Sequence, residues 1–220
     1  MTNIRDAEGY IFDLDGTLAV SQHFHFEAYK KLFQENGIEY SLADDVALYN
    51  GQGSEKIIPH IFERHDRSLS TEQVRELVLR KREIYKEMIE NEKIQPVAGA
   101  EQFLNMIIAD KKKIIVATGN RLGPSQKILK KIGFDKFFET IISIEDVSEA
   151  KPSPETFLLA MNELGIEPEQ CIIFEDAVSG VRAAKAANMY CVGITPSTEK
   201  DRLERAGADK IIADYTEILP

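Results

Sequence analysis

The amino-acid sequence predicts an α/β protein in which a doubly wound parallel sheet carries an inserted all-helical domain. Short apolar runs rich in Ile and Val recur along the chain without polar alternation, as is typical of parallel strands that helices cover on both faces. Helical patterns separate the later runs, so strands and helices alternate. Residues 21–92 break this alternation, because they contain helical patterns and no strand-like run.

Six apolar runs are predicted as strands, in the order 9–12, 113–117, 141–143, 171–174, 190–194 and 210–212. Helices are predicted between the later strands, at residues 99–110, 125–132, 154–164 and 178–188. The first of these helices has Phe103, Leu104 and Ile107 at helical spacing. A strand, a helix and a further strand form a βαβ unit, and repeated units of this kind favour a parallel sheet.

The inserted segment has two clear helical patterns. Residues 24–32 and 74–89 carry apolar side chains at helical spacing, and glycine and proline residues separate the patterns. Extra helices on the core sheet are the alternative, but about seventy helical residues cannot all lie on one sheet. We therefore expect a core of residues 1–19 and 95–220, and a helical cap domain of residues 20–94 inserted after the first strand.

The composition indicates an ordinary soluble globular protein, which we expect in the cytoplasm. The 220 residues are 43% hydrophobic and 29% charged, and the net charge of −10 argues against a nucleic acid or an anionic membrane as a partner. No apolar stretch approaches the roughly 20 residues of a membrane span, and the first residues show no signal peptide. At Cys171 and Cys191 we expect two buried thiols rather than a disulfide.

Polar residues that could carry chemistry follow the first four predicted strands. They are Asp13, Asp15 and Thr17 after the first strand, Thr118, Gly119 and Asn120 after the second, Lys151 after the third, and Glu175 and Asp176 after the fourth. Doubly wound sheets bind ligands at the carboxyl ends of the strands, near the point where the strand order reverses. We therefore expect these residues to meet at one edge of the sheet.

The residue types in this set suit phosphoryl transfer with a divalent cation. Neighbouring carboxylates repel each other unless a cation offsets their charge, and Mg²⁺ prefers oxygen ligands. Thr118, the backbone at Gly119 and Lys151 could hold a phosphate. Asp13 is placed to attack phosphorus, and Asp15 is placed to act as a general acid and then as a base.

Each of these residues, taken alone, has a structural alternative. An Asp after a strand is often a turn or capping residue, and Glu175 with Asp176 could cap the helix that follows. Residues 118–120 could form a plain loop, and Lys151 could be an exposed side chain. The order of all of them at successive strand ends favours a shared site.

The segment Asp13-Leu14-Asp15-Gly16-Thr17, followed by Thr118, Lys151 and Glu175-Asp176, resembles the four motifs of the haloacid dehalogenase superfamily. Residues 151–155 and 174–180 are similar to its β-phosphoglucomutase-like phosphatase branch. The resemblance implies a Rossmann-like core with a helical, C1-type cap. It also implies that Asp13 is the nucleophile and a Mg²⁺ ligand, whereas Asp15 is the acid and base and offers Mg²⁺ its backbone carbonyl.

The resemblance also assigns roles to the other core residues. Asp176 would be the third protein ligand of Mg²⁺, with Glu175 close by or bonded through water. Thr118, Gly119 and Lys151 would hold the phosphoryl group. Further substrate-binding residues expected around it are Gly16, Thr17, Asn120 and Arg121, of which the last matches a basic position that touches the sugar in the mutase branch.

In the cap, the resemblance points to four substrate-binding residues, namely His25, Gly51, Ser54 and Lys81. His25 matches a histidine that helps to gate the acid/base residue, although a histidine on a packed helix is often structural. Gly51 and Ser54 belong to residues 50–55, the expected specificity loop, where mutases have an arginine that grips a second phosphate. Lys81 matches a cap lysine, with a solvated face formed by residues 80–82 as the alternative.

The sequence thus predicts a Mg²⁺-dependent phosphatase of a small phosphorylated metabolite, with a sugar phosphate as the expected class. Asp15 argues against dehalogenation, because the dehalogenases of the superfamily lack a carboxylate there. A β-phosphoglucomutase-type mutase is the alternative, disfavoured by Gly53 and Ser54 in place of the arginine. A non-catalytic, receiver-like phosphate-binding module is a further alternative, but such a module needs neither the insertion nor Asp15. We expect a monomer, with a dimer as the alternative.

Overall fold

The computed structural model describes residues 4–42, 53–195 and 198–220. Within these residues, a parallel sheet of six strands has the order β3-β2-β1-β4-β5-β6. The strands are β1 (Gly9–Phe12), β2 (Lys113–Ala117), β3 (Ile141–Ile142), β4 (Cys171–Glu175), β5 (Tyr190–Ile194) and β6 (Lys210–Ile212). This is the strand order of a doubly wound, Rossmann-like sheet, so the predicted fold class is confirmed.

The strand order reverses between β1 and β4. The chain first adds β2 and β3 on one side of β1, and then places β4 on the other side. Phe12 at the end of β1 lies opposite Val116 of β2 and Phe174 of β4 in the register of the sheet. The three strands therefore end at a common level, and the crevice beside β1 is the expected place for a ligand.

The chain divides into two compact units, one formed by Met1–Ser21 with Ile94–Pro220 and the other by Gln22–Lys93. We call them the core unit and the helical unit. The sequence led us to expect crossings at 19/20 and 94/95. That the helical unit acts as a cap over a substrate stays a prediction.

The helical unit contains three helices among the residues that the structure describes, namely α1 (His23–Glu35), α2 (Ser54–Glu63) and α3 (Thr71–Asn91). Helix α3 packs against both α1 and α2. Their buried apolar residues, such as Leu32, Ile61 and Ile84, give this unit a hydrophobic core of its own. Ser70 begins α3 with a capping box, in which its hydroxyl accepts from the Gln73 amide and the Gln73 side chain accepts from the Ser70 amide.

The core unit places its helices α4 (Ala100–Ala109), α5 (Leu122–Lys131), α6 (Glu155–Leu164), α7 (Val178–Ala186) and α8 (Lys200–Ala206) after the strands. Short 3₁₀ turns occupy Ile4–Asp6, Ile144–Asp146, Pro168–Gln170 and Tyr215–Ile218. Helix α5 begins at Leu122, three residues earlier than predicted, and its first turn includes Gly123 and Pro124. Proline fits there because the first-turn amides of a helix have no carbonyl partner within it.

Two apolar layers bury the sheet. An aromatic cluster covers one face and consists of Tyr10, Phe12, Phe103, Phe174 and Tyr215. The other face packs Ile11, Ile115 and Ile173 against residues of α6 and α7. Cys171 and Cys191 are buried here as free thiols. Across the described parts of the chain, we find no helix with the length and apolarity that a membrane crossing requires.

Candidate active site

One buried ammonium group joins the ends of three strands in the core unit. Lys151 Nζ donates to Asp13 Oδ1 at 2.6 Å, to Glu175 Oε2 at 2.8 Å and to the Ala117 carbonyl at 3.1 Å. These acceptors belong to the ends of β1, β4 and β2, and all three charged side chains are buried. An ammonium group has three N–H donors, so this geometry uses each of them. The predicted exposed alternative for Lys151 is therefore wrong.

Charge and burial set the protonation of this group. Burial, together with the neighbouring Glu175 carboxylate, raises the pKa of Asp13 to about 7. Burial disfavours the charged form of Lys151, but the Asp13 and Glu175 carboxylates outweigh it and raise the pKa of Lys151 above its ordinary value. Lys151 therefore stays cationic at neutral pH, and its ammonium group keeps the Asp13 and Glu175 carboxylates close to each other.

The third acid of this site is Asp176, which follows β4. Carboxylate oxygens of Asp13, Glu175 and Asp176 all lie within 4.8 Å of one another, and the three residues are buried. Buried acids at this spacing fit a hard divalent cation, which takes oxygen ligands. Both oxygens of Glu175 accept hydrogen bonds, Oε2 from Lys151 and Oε1 from the Ala177 amide, whereas Lys151 bonds to Asp13 through Oδ1. Asp13 and Asp176 are therefore the better direct ligands.

Asp15 is also buried, and two other side chains hold its carboxylate. Its carboxylate accepts hydrogen bonds from the Ser21 hydroxyl through Oδ1 and from the Asn120 amide through Oδ2. Gly16, with φ of +76°, lets the backbone turn directly after Asp15. Asn120 was expected to bind substrate, and the structure places its amide on Asp15. Ser21 was not predicted, because nothing in its sequence neighbourhood marks it as a partner of Asp15.

The loop after β2 is tied both to the sheet and to itself. The backbone amide of Thr118 donates to the Ile142 carbonyl, and the Thr118 hydroxyl accepts from the backbone amide of Asn120 at 3.2 Å. A Cβ atom at Gly119 would meet no atom within 4 Å, so open space lies beside this backbone. Arg121 forms an ion pair with Glu145 and is half exposed. Its proposed contact with a sugar stays a prediction.

Two small residues beside the acids have features that the motif alone does not explain. A Cβ atom built on Gly180 in α7 would lie 2.0 Å from the carboxyl carbon of Glu175, so only glycine leaves room for that carboxylate. Thr17 is fully buried, and its hydroxyl has no hydrogen-bond partner among the residues that the structure describes. Its predicted role in substrate binding is untested.

The helical unit contains a polar cluster of its own, formed by His25, Tyr29, Ser54, Lys81 and Tyr85. Lys81 Nζ lies 2.9 Å from His25 Nδ1, 4.6 Å from the centre of the Tyr29 ring and 5.0 Å from that of Tyr85. The Tyr85 ring stacks on the His25 ring, and the Tyr29 hydroxyl lies 2.8 Å from the Ser54 hydroxyl. We call this set the helical-unit cluster.

The helical-unit cluster brings together three of the four predicted cap residues. Gly51, the fourth, lies outside the described residues. Lys81 is buried, whereas Arg80 is half-buried and Arg82 is exposed, and these arginines pair with Glu35 and Glu55. The alternative of a solvated face at residues 80–82 therefore holds for the two arginines and is wrong for Lys81.

Comparison with known proteins gives a consistent result. The family model described as haloacid dehalogenase-like hydrolase matches residues 10–194. The chain is 32% identical over 210 residues to validoxylamine A 7'-phosphate phosphatase of Streptomyces hygroscopicus subsp. limoneus, covering 94% of each protein. It is 28% identical over 194 residues to fructose-1-phosphate phosphatase YqaB of Escherichia coli, covering 84% of this chain and 95% of that protein. The crystal structure of β-phosphoglucomutase from Clostridium difficile superposes with a TM-score of 0.83 at 25% identity, covering 97% of this chain and 93% of that chain.

Proposed function

We propose that this chain, which belongs to the haloacid dehalogenase-like hydrolase family, is a Mg²⁺-dependent phosphatase of a small phosphorylated metabolite, with a sugar phosphate as the expected class. The observation that carries the proposal is the division of the two motif acids. Both acids are buried, but Asp13 is bonded to Lys151, whereas Asp15 is bonded to Ser21 and Asn120. Both curated relatives described above are named as phosphatases, which supports the same reaction.

Asp13 would act as the nucleophile. One of its carboxylate oxygens attacks phosphorus, so that a bond from Asp13 to phosphorus forms while the bond from phosphorus to the ester oxygen breaks. The bond from Lys151 Nζ to Asp13 Oδ1 fixes the orientation of that carboxylate. The ammonium charge also offsets the negative charge that the phosphoryl oxygens bring to the site.

Asp15 would move the protons. In the first step, its carboxyl group gives a proton to the leaving ester oxygen. In the second step, its carboxylate takes a proton from the water molecule that attacks phosphorus, which releases inorganic phosphate and regenerates Asp13. The Ser21 and Asn120 bonds fix the orientation of this side chain, whereas Lys151 holds Asp13 and Glu175.

Asp13 and Asp176 would hold the cation, together with the backbone carbonyl of Asp15, and Glu175 would support them through its bond to Lys151. When bound, Mg²⁺ would neutralise charge on the phosphoryl oxygens and on the acids around them. Thr118 and Gly119 would contact the phosphoryl group, with Gly16, Thr17, Asn120 and Arg121 around it. In the helical unit, His25, Ser54 and Lys81 of the helical-unit cluster are proposed to bind substrate, as the family resemblance implies.

The test is phosphate release from a panel of phosphorylated metabolites by the purified chain with Mg²⁺. We expect release from one or more sugar phosphates, abolished by a chelator and by Asp13→Asn. An Asp15→Asn variant should retain Mg²⁺ binding but lose turnover by on the order of a hundredfold or more, because the general acid and base is gone. An unchanged rate in that variant would contradict the proton-transfer role of Asp15, whereas no phosphate release from any metabolite by the wild-type chain would favour a receiver-like module.

The mutase alternative has support from the fold match to β-phosphoglucomutase. The same panel separates the two activities. A phosphatase releases phosphate without an activator, whereas a mutase would require glucose 1,6-bisphosphate, convert the sugar phosphate into its isomer and release almost no phosphate. The second pattern would overturn the phosphatase proposal.

A further inference from the structure

Tyr215 carries a buried hydroxyl group that the fold does not use. The residue begins the 3₁₀ turn Tyr215–Ile218 and is fully buried. Its hydroxyl has no hydrogen-bond partner within the described ranges of the chain. Buried hydroxyl groups normally have a partner, because an unpaired one loses its bonds to water and gains none in return. A phenylalanine would avoid this cost, so the hydroxyl calls for an explanation.

Packing does not supply that explanation. The Tyr215 ring lies 5.2 Å from the Phe174 ring and 5.3 Å from the Phe103 ring, measured between ring centres. These contacts belong to the aromatic cluster, and a phenylalanine ring would make them equally well.

The position of the ring is fixed by its backbone. The Tyr215 amide donates to the Ala98 carbonyl at 3.0 Å. A Cβ atom at Gly99 would lie 2.7 Å from the Thr216 amide nitrogen, so the two segments touch backbone to backbone. The hydroxyl therefore sits at a defined place rather than on a mobile tail.

The Tyr215 hydroxyl lies near the acids of the candidate active site, so that their charges act on it. The aromatic neighbours of Tyr215 include Phe12, which directly precedes Asp13, and Phe174, which lies two residues before Asp176. Burial raises the pKa of Tyr215 well above its ordinary value, and the charges of Asp13 and Asp176 raise it further. The hydroxyl therefore keeps its proton at neutral pH, and both carboxylates lie near enough for their charges to act on it.

We propose that Tyr215 is a positioning residue of the acidic site, whose hydroxyl donates through one water molecule to the Asp13 and Asp176 carboxylates that would hold Mg²⁺. A bridging water fits because the hydroxyl bonds to neither carboxylate directly, and because Mg²⁺ keeps several waters when it binds protein. The inference rests on the proposed function, since it concerns the same cation. Residues that orient metal ligands in this way typically change metal affinity by about 10–100-fold.

The test compares Tyr215→Phe with Tyr10→Phe as a matched control. Tyr10 belongs to the same aromatic cluster and is equally buried, but its hydroxyl donates to the Ile4 carbonyl at 2.9 Å. The affinity of the metal-free full-length chain for Mg²⁺ is measured by calorimetry, and its thermal midpoint is measured with and without Mg²⁺. For Tyr215→Phe we expect Mg²⁺ affinity about tenfold weaker, with no loss of thermal midpoint in the metal-free protein. For Tyr10→Phe we expect the reverse, a lower midpoint and unchanged Mg²⁺ affinity.

The outcomes separate this inference from the proposed function. Equal Mg²⁺ affinity in the wild-type and Tyr215→Phe proteins would overturn the positioning role alone. Weaker affinity in both variants would also overturn it, because the effect would then belong to the aromatic cluster in general. A wild-type chain that binds no Mg²⁺ would overturn the proposed function and this inference together.

Discussion

Among the residues that the structure describes, each unit buries one lysine, and the two units hold its ammonium group by different means. In the core unit, Lys151 lies between the Asp13 and Glu175 carboxylates at the ends of strands. In the helical unit, Lys81 lies beside the His25 ring and the faces of Tyr29 and Tyr85. Carboxylates fix a lysine by charge in a low dielectric, whereas aromatic rings hold an ammonium group more weakly.

This difference suggests a division of roles. The core lysine has all three donors committed to the protein, so it suits a fixed position beside reacting atoms. The lysine of the helical unit suits recognition, where binding to different oxygens of a metabolite matters more than one rigid geometry. Four substitutions, each with a control, test this difference between the units.

The largest effect is expected for Lys151→Met. The change removes the cation between the buried Asp13 and Glu175 carboxylates and leaves two like charges without a partner. Loss of one member of a buried ion pair typically destabilises a protein by about 3–5 kcal/mol. Phosphate release should fall below detection, and Mg²⁺ should restore part of the stability because it supplies the missing positive charge. Urea denaturation of the metal-free and Mg²⁺-bound chain measures both effects.

The control for that variant is Lys185→Met. Lys185 pairs with Asp209 at 2.6 Å, but both side chains are about one-third exposed. Such pairs contribute about 1 kcal/mol or less, and we expect turnover to be retained. If Lys185→Met were as destabilising as Lys151→Met, burial of the ion pair would not be the reason for the effect.

The next effect concerns the space that Glu175 needs to reach Lys151. Gly180→Ala would place a methyl group 2.0 Å from the Glu175 carboxyl carbon, so that side chain must leave Lys151. We expect a loss of about 1–3 kcal/mol of stability from overpacking, together with a strong loss of phosphate release.

Gly123→Ala is the matched helical control. A Cβ atom there would meet nothing within 4 Å apart from its chain neighbours, so no overpacking is expected. Because Pro124 follows and disfavours a helical residue with a Cβ before it, we expect no gain in helix stability, and activity should be retained. Unfolding midpoints and phosphate release measured in parallel test the pair. Full activity in Gly180→Ala would mean that the Glu175 contact with Lys151 is dispensable.

The contrast between the units also explains what the sequence could predict. The strand-end acids were predictable because short apolar runs mark the ends of β1 and β4, and a doubly wound sheet brings those ends together. The family resemblance then supplied roles for Lys151 and Asp176. These predictions depend on residues that directly follow strands, where sequence position determines place in the fold.

Contacts between distant segments were not predictable in this way. The hydroxyl of Ser21 reaches Asp15, and Tyr215 reaches the aromatic cluster from the last residues of the chain. Neither residue lies in a pattern that points to its partner. In the helical unit, a helical period predicted α1 and α3, but it could not show that Lys81 turns inward while Arg80 and Arg82 turn outward.

A smaller effect, of a different kind, is expected for Lys81→Met. If this lysine recognises the metabolite, the substitution should raise KM for the best sugar phosphate by about tenfold, which corresponds to the loss of one hydrogen bond to a charged group. The kcat for a minimal substrate such as p-nitrophenyl phosphate should not change. Steady-state kinetics with both substrates distinguishes binding from chemistry.

Arg82→Met is the control for Lys81→Met, because Arg82 lies next in sequence but is exposed and pairs with Glu55 at 3.1 Å. We expect no change in KM for the sugar phosphate. A fall in kcat for both substrates in Lys81→Met would contradict the division of roles, since Lys81 would then act as Lys151 does.

The smallest effect is expected at the start of α3, where Ser70→Ala removes the capping box. The Gln73 amide loses its acceptor, and the free energy of unfolding should fall by about 1 kcal/mol. Because the box lies in the helical unit and its residues are exposed, the loss should appear as faster amide hydrogen exchange in Thr71–Asn91. Exchange at the strands and phosphate release should be unchanged.

The control for Ser70→Ala is Ser68→Ala, at an exposed serine two residues earlier. It should change neither the free energy of unfolding nor the exchange in Thr71–Asn91. If Ser70→Ala sped up exchange in the strands of the core unit as much as in Thr71–Asn91, the two units would unfold together. The effect of a change in the helical unit could then not be separated from the chemistry of the core unit.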